Sequence, residues 1–256
     1  MYAEERQQAI AELALKADRV VVAALASQFD VTTETIRRDL EVLDRQGLVR
    51  RVHGGAVAAA RLSLVEPTLA EREPTHAAEK ARIARAALSH LPGGSSGSVL
   101  LDAGSTLAQF AAVLPLGSVG TVITTSLPIG SDLAVRGQFP VHLLGGRLRG
   151  NTQACVGPDA VARLATLRCD VAFMGTNGLT LRHGLSTPDH DEAAVKRAMM
   201  QAARKVVVLA DSSKLGPELL VSFAPAAAID VLITDDGISD ADRLAFEEAG
   251  IEVVVA

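Results

Sequence analysis

Tryptophan is absent, tyrosine occurs once, and aromatic residues make up only 3% of the chain. The stacking platforms that hold single-stranded nucleic acid or RNA loops are hard to assemble from so few rings. If a nucleic acid is bound, duplex DNA is the better fit. Positive charge is also short: 25 lysines and arginines stand against 30 aspartates and glutamates, a formal net charge of −5. That argues against a protein that coats nucleic acid indiscriminately. It leaves room for a local basic edge, because the distribution of charge decides binding. Cys155 and Cys169 are the only cysteines; they form no metal spacing and no disulfide framework, and we expect small buried thiols. His183 and His190 fit no metal or triad spacing, so neither a metal nor a cofactor is expected. No apolar run approaches the ~18–20 residues that span a bilayer. The opening MYAEERQQAIAEL carries carboxylates where a signal peptide needs an apolar core. The expectation is a soluble, cytoplasmic protein with no membrane partner.

What is present is enough apolar matter for a core: 48% hydrophobic residues and a mean hydropathy of +0.26 over 256 residues. That length suits two domains. Ile10, Leu13 and Ala14 put an apolar stripe on a first helix, the run Val20-Val21-Val22 reads as a strand stub, and Leu25 and Phe29 sit a turn apart on a short second helix. A third helix starts at Thr32 as N-cap. Val31 and Ile36 flank it as a hydrophobic staple, Ile36, Leu40 and Leu43 form its buried stripe, and Gly47 closes it. LVRRV-HGG-AV then reads as a hairpin whose glycines supply positive φ. Helix, stub, helix, helix, hairpin is the layout of a winged helix-turn-helix over residues 1–57. Residues 58–75 look like a linker, with LAEREP as a possible short helix, and residues 76–256 form a second domain.

With Ile36 buried, the helical period turns Glu34, Arg38, Glu41 and Arg45 outward and leaves Arg37 to one side. The first turn then shows Thr33, Glu34, Arg37 and Arg38 where a recognition helix meets base edges in the major groove, and Thr32, Thr33, Thr35, Arg37 and Arg38 are the candidate DNA contacts there. Arg50, Arg51 and His53 on the hairpin would ride on the adjacent backbone or minor groove. Asp39, Glu41 and Asp44 lie further along and can pair with neighbouring arginines. Charge alone would fit a solvated helix with i,i+4 pairs equally well; the staple, cap and hairpin together favour the DNA-facing reading. The stretch FDVTTETIRRDLEVLDRQGLVRRVHGGAV resembles, at nearly every position, the signature of the DeoR family of bacterial transcriptional regulators. The resemblance implies double-stranded operator DNA as a partner.

In the second domain, AAEKARIARAALSHL reads as an amphipathic helix and PGGSSGS (Pro92–Ser98) as an enlarged loop. Short β-rich runs (SVLLD, TVITTS, VHLLGG, DVAFMGTNG, KVVVLADSS, DVLITDD, IEVVVA) then alternate with helices. The pattern predicts an α/β fold with a largely parallel sheet covered on both faces. Polar loops recur at strand ends: Asp102, Gly104, Ser105 and Thr106; Thr124, Thr125 and Ser126; Gly145 and Gly146; Gly175, Thr176 and Asn177; and Asp211 to Lys214. Such loops converge on one crevice of an open α/β sheet. Their hydroxyls, amides and one lysine suit a phosphorylated polyol, while no G-x-G-x-x-G opens a helix after the first strand to suit a dinucleotide. The Gly-Ser-Thr turn taken alone is more often an ordinary strand-to-helix turn than a phosphate site. Glu192 and Lys196, spaced i,i+4, either hold sugar hydroxyls and phosphate or form an exposed helical ion pair.

LDAGST, GTNGL, GLSTPD, EAAVKRAMM and VVLADSSK extend the DeoR resemblance across almost the whole chain. It implies an effector domain similar to ribose-5-phosphate isomerase, a phosphorylated sugar as effector and release of the operator on binding. The overall wording looks closest to fructose-operon repressors of high-GC bacteria, which implies fructose 1-phosphate. Thr125 departs from the asparagine that many members carry there. The expectation is a non-enzymatic repressor of a sugar-utilisation operon, acting as a homo-oligomer (dimer or tetramer). Two rivals stand beside it. One is a sugar-phosphate isomerase with a DNA-binding-like extension, in which Asp102, Asp189, Asp191 or Glu192 moves a proton. The other is a protein-interaction module.

Overall fold

The computed structural model describes residues 3–17, 19–45, 49–52, 54–58 and 66–256. The chain divides into two compact units, Met1–Leu62 and Ser63–Ala256. The first is built from α1 (Ala3–Ala17), β1 (Arg19–Val21), α2 (Val22–Phe29), α3 (Thr33–Arg45), β2 (Val49–Val52) and β3 (Gly55–Ala58). The three strands form one antiparallel sheet in the order β1-β3-β2. Ile10 and Ala14 of α1, Leu25 of α2, and Ile36, Leu40 and Leu43 of α3 bury against Val49 and Ala56. These are the apolar positions that the helical period picks out. Gly55 is required by contact: a Cβ there would lie 1.9 Å from the Val20 carbonyl oxygen, so only glycine lets β3 seat against β1. The arrangement is a winged helix-turn-helix.

The second unit opens with α4 (Leu69–Arg72) and α5 (Ala77–Ala86). Residues 66–72, expected as linker, belong to this unit: Glu66 and Leu69 are buried, and the Leu69 N–H donates to the Asn151 carbonyl at 2.7 Å. The chain continues through β4 (Ser98–Leu101), α6 (Ser105–Val113), β5 (Thr121–Thr124), α7 (Leu127–Arg136), β6 (Val141–Leu143), β7 (Arg147–Arg149), β8 (Ala154–Val156), α8 (Pro158–Leu164) and β9 (Cys169–Met174). It ends with β10 (Gly178–Thr180), β11 (Gly184–Thr187), α9 (His190–Gln201), β12 (Ala203–Leu209), β13 (Val221–Ala224), β14 (Val231–Thr234), α10 (Asp240–Glu248) and β15 (Glu252–Val255).

Seven strands pair in the order β15-β14-β12-β9-β4-β5-β6, every pair parallel. Alternate strand residues serve opposite faces. Leu100, Ala172, Met174, Val208 and Leu232 face one core, whereas Val99, Leu101, Phe173, Val207 and Ile233 face the other. Both faces are thus covered, which explains the continuous apolar strand runs. Two small antiparallel additions, the hairpin β7-β8 and the sheet β10-β11-β13, were not foreseen. Helix α9 begins at His190, capped by the Asp189 carboxylate, two residues before the expected start at Glu192. Cys155 and Cys169 are free and buried, and burial pushes both thiols up. Among the described residues no helix is long and apolar enough to cross a membrane, and no His/Cys/Asp/Glu cluster is fit to hold a metal ion.

Candidate nucleic-acid interface and ligand site

On α3 the period leaves Thr33, Glu34, Arg37 and Arg38 exposed, with Thr32 just before them. The Thr32 hydroxyl accepts from the Thr35 N–H at 3.2 Å and shares a 2.9 Å hydrogen bond with the Thr35 hydroxyl. Those two threonines are therefore engaged in capping. Glu34 lies 3.4 Å from Arg37 and 3.8 Å from Arg38, with all three side chains more than half exposed. Such pairs are worth ~0–1 kcal/mol, so little holds the two guanidinium groups to Glu34. The Arg51 N–H donates to the Asp44 carboxylate at 3.1 Å, tying wing to helix. Arg37 and Arg51 line one cleft with Leu40, Val52, Gly54 and Gly55. Gly47 and His53 lie outside the described residues, as do the Arg45 and Arg50 side chains.

Asp39 corrects an expectation. It does pair with an arginine, but not with one of its neighbours on α3: it is buried against α1, accepting from Arg6 Nε at 2.6 Å, Arg6 Nη2 at 3.2 Å and Gln7 Nε2 at 2.9 Å. The physical reason is the helix angle: Asp39 lies beside Leu40 and Leu43 on the packed side of α3. The charge steadies the recognition helix on α1.

In the second unit the chain reverses direction across the sheet between β4 and β9. From β4 it steps to β5 and β6 on one side; from β9 it steps to β12, β14 and β15 on the other. A switch point of this kind opens a crevice at the carboxyl ends of the strands. Asp102 follows β4 and Gly175 follows β9. Asp102 Oδ2 accepts from the Gly175 N–H at 2.9 Å and from the Lys196 ammonium, and Oδ1 accepts from the Ala103 N–H at 2.8 Å. A Cβ at Gly175 would meet Leu107 at 3.2 Å and Asp102 Oδ2 at 3.6 Å, crowding that junction. Lys196 also donates to the Gly175 carbonyl at 3.1 Å, lies 3.8 Å from Glu192 and sits 5.6 Å from the Phe223 ring centre.

Arg149 continues the chain of charges. It meets Glu192 at 3.0 Å, Asp189 at 3.2 Å and Glu66 at short range. Asn177 donates its amide to Glu66 at 3.3 Å. The side chains of Glu66, Asp102, Glu192 and Lys196 are only 2–5% exposed. Glu192 and Lys196 are accordingly not the exposed helical pair that one alternative anticipated. Burial pushes the Glu192 carboxyl up; Lys196 and Arg149 oppose it, while Glu66 and Asp102 add to it.

The other strand-end loops divide by what their side chains already do. Thr124 donates to the Leu101 carbonyl at 2.8 Å and accepts from the Ser126 N–H at 3.0 Å. Ser126 caps α7, and Thr125 is buried, its carbonyl taken by the Cys155 N–H at 2.8 Å. Thr176 bonds the Gly178 carbonyl at 2.7 Å. At Gly146 a Cβ would clash with the Val156 carbonyl at 2.6 Å, so this glycine permits the β7-β8 hairpin. These residues shape the crevice more than they face it. Helix α6 differs: it starts at Ser105 behind Gly104 with no side-chain cap, so its N-terminus keeps the donors that favour an anion. Lys214 stands in the loop after β12, on the far side of β9 from β4, and its charge reaches Lys80 on α5.

Residues 6–61 match the DeoR-like helix-turn-helix domain, and residues 75–236 match the DeoR C terminal sensor domain. The chain belongs to the DeoR family of transcriptional regulators. It is 38% identical to the HTH-type transcriptional regulator GlpR of Haloferax volcanii, over 99% of this chain and 98% of that one. It is 32% identical to the uncharacterized HTH-type transcriptional regulator FruR of Bacillus subtilis, over 100% and 98%. The glycerol-3-phosphate regulon repressor of Escherichia coli shares 31% identity over 90% of each chain. Among solved structures, ribose 5 phosphate isomerase A from Neisseria gonorrhoeae aligns over 55% of this chain and 54% of that one, at 20% identity and a TM-score of 0.40. That likeness is too slight to argue from.

Membership in the DeoR family makes this a DNA-binding regulator and sets the isomerase alternative aside. Four charged residues of the second unit gave no sign of a role in the sequence: Glu66, Arg72, Lys80 and Arg149. Lys80 is buried, and its ammonium donates to the Arg72 and Thr75 carbonyls, each at 2.6 Å. Burial pulls its pKa down, Asp211 opposes that, and Lys214 and Arg72 add to it. In the sequence it was one charge on an amphipathic helix. Arg149 follows the Gly145-Gly146 turn by three residues, the only local signal that could have drawn attention to it.

Proposed function

We propose that the protein is a sugar-phosphate-responsive repressor of a sugar-utilisation operon. The observation that carries this reading is the crevice at the β4/β9 switch point, where the uncapped start of α6 (Gly104, Ser105, Thr106) shares the strand-end face with Lys80 and Lys214. Helix N-terminus and lysines are suited to a phosphate. Asn177, Glu192 and Arg149 are suited to sugar hydroxyls, with Asp102 and Lys196 bracing the floor. The names of the relatives, which include a FruR and a glycerol-3-phosphate regulon repressor, favour phosphorylated three- to six-carbon compounds. Fructose 1-phosphate is the first ligand to try.

On the DNA side, Thr33, Arg37 and Arg38 of α3 would address base edges, and Arg50, Arg51 and His53 of the wing the backbone or minor groove. Thr32 and Thr35 would serve by holding the first turn in shape. A symmetric dimer or tetramer would present two such helices to a two-fold operator. Ligand would favour a conformation with lower operator affinity.

Thermal melting of the full chain tests the ligand half. A ligand that binds only the folded state stabilises it by about 2.7 kcal/mol at a hundred times its Kd. Fructose 1-phosphate or another phosphorylated sugar should raise the melting temperature, and the unphosphorylated sugar should not. No shift with any phosphorylated three- to six-carbon sugar or polyol would overturn the reading.

A further inference from the structure

The segment from Glu66 to Thr75 enters the sensor unit directly from the side of the chain that carries the DNA-binding unit. It is tied down along its length. Thr68 and Glu71 form a capping box around α4, with Thr68 N–H to Glu71 at 2.8 Å and Glu71 N–H to Thr68 at 3.3 Å. Leu69 buries its side chain, and Lys80 holds the carbonyls of Arg72 and Thr75. Glu66 reaches Arg149 and Asn177, both of which border the crevice.

Arg72 is the odd member. Its side chain is 18% exposed, and its nearest carboxylate, Glu66, lies 3.9 Å from Nη1. Its Nε and Nη2 atoms are buried and have no hydrogen-bond partner among the described residues. A buried donor left unpaired is destabilising, and more so on a charged group. Nε and Nη2 together form the edge with which a guanidinium grips a planar anion or phosphate through two parallel bonds. Two other arginines in this chain use that same edge on a carboxylate: Arg6 on Asp39, with Nε at 2.6 Å and Nη2 at 3.2 Å, and Arg182 on Glu218, with Nε at 3.3 Å and Nη2 at 2.6 Å. Arg72 holds the same edge ready with no protein acceptor. The Lys80 ammonium holds the Arg72 backbone carbonyl, and the charges of Arg72 and Lys214 both reach that ammonium.

We propose that the strap Glu66–Thr75 is a wall of the ligand site and that Arg72 contacts the phosphate of the bound sugar phosphate. The inference rests on the sugar-phosphate reading above and adds to it the residue and the route. A ligand drawn to Arg72 acts on the same short strap that Glu66 fastens to Arg149 and Asn177. Ligand occupancy is then read by the piece of chain that leads to the DNA-binding unit, rather than only by the distant strand-end loops.

The test uses the full chain, titrated calorimetrically with fructose 1-phosphate, fructose 6-phosphate, glycerol 3-phosphate, inorganic phosphate and unphosphorylated fructose. Amide hydrogen exchange of residues 66–75 is followed with and without the best-bound probe. The expected result is that Arg72→Ala weakens the best phosphorylated probe at least about tenfold, a loss typical of a charged hydrogen bond. Arg72→Lys should keep part of the affinity, and the probe should slow exchange across 66–75 in the unaltered protein. If Arg72→Ala does not fold, Arg72→Lys and the exchange measurement carry the test. A probe that binds the unaltered protein, binds the Arg72 variants within about twofold and leaves exchange in 66–75 unchanged would overturn the strap proposal alone. If no phosphorylated probe binds the unaltered protein, the sugar-phosphate reading falls and the strap proposal falls with it.

Discussion

Glu192 carries a carboxylate into a site where four acids (Glu66, Asp102, Asp189 and Glu192) face Lys196 and Arg149. Burial raises its pKa above the ordinary 4.5, against the pull of the two cations. For a raised carboxyl the sign is fixed by linkage: its favourable contribution is complete below about pH 4.5 and is lost as pH climbs through the folded value. Urea unfolding of wild type and Glu192→Gln across pH 4–8 checks this. The stability of wild type relative to the variant should fall as pH rises; a flat difference would contradict the assignment. At the DNA face, Arg38 is the most exposed of the recognition-helix arginines whose side chains are described, its pair with Glu34 weak at 3.8 Å. Arg38→Ala should cost about 1–3 kcal/mol in operator affinity and relax preference at one base pair, measured by equilibrium binding to operator variants. A uniform loss across all sequences, with a shallower salt slope, would make it a phosphate contact instead.

Among elements, α3 shows how far a sequence can be read. Its stripe of Ile36, Leu40 and Leu43, its Thr32 cap and its staple were all legible, because period and capping chemistry are local. The partner of Asp39 was not, because Arg6 is 33 residues away and only packing brings them together. The pair ties α1 to the recognition helix with side chains 10% and 5% exposed. Asp39→Ala should therefore destabilise the winged helix by about 2–3 kcal/mol, read by circular dichroism in urea. The double variant Arg6→Met, Asp39→Ala should recover part of that, since no buried charge is left alone. In the second unit, the seven parallel strands were visible as apolar runs, and the strand-end loops as Gly, Ser, Thr and Asp clusters. The hairpin β7-β8 and the sheet β10-β11-β13 were hidden, because their strands of three or four residues carry too little pattern to stand out. The strap was hidden for the opposite reason. LAEREP is polar enough to pass for linker, and Glu66 and Arg72 show their role only once Arg149, Asn177 and Lys80 are folded around them.

For the whole molecule, a net charge of −5 sets a limit on how it can meet a polyanion. If contact is confined to the arginine-bearing helix and wing, as proposed, few phosphates are neutralised. Operator affinity should fall with salt along a slope of roughly −0.9 per phosphate contact. In the proposed reading the anionic ligand of the parallel-sheet unit is met by local positive charge, at the α6 N-terminus, Lys80, Lys214 and Arg72. In the proposed function one chain joins operator binding by the first unit to its relief by a phosphorylated sugar held in the second. Fluorescence anisotropy of the full chain on its best duplex, selected from a random-sequence pool, tests it most directly. Binding should be sequence-specific and salt-sensitive, reversed by fructose 1-phosphate or another phosphorylated sugar and not by the unphosphorylated sugar. Specific binding that no phosphorylated sugar alters, or no duplex preference at all, would contradict it.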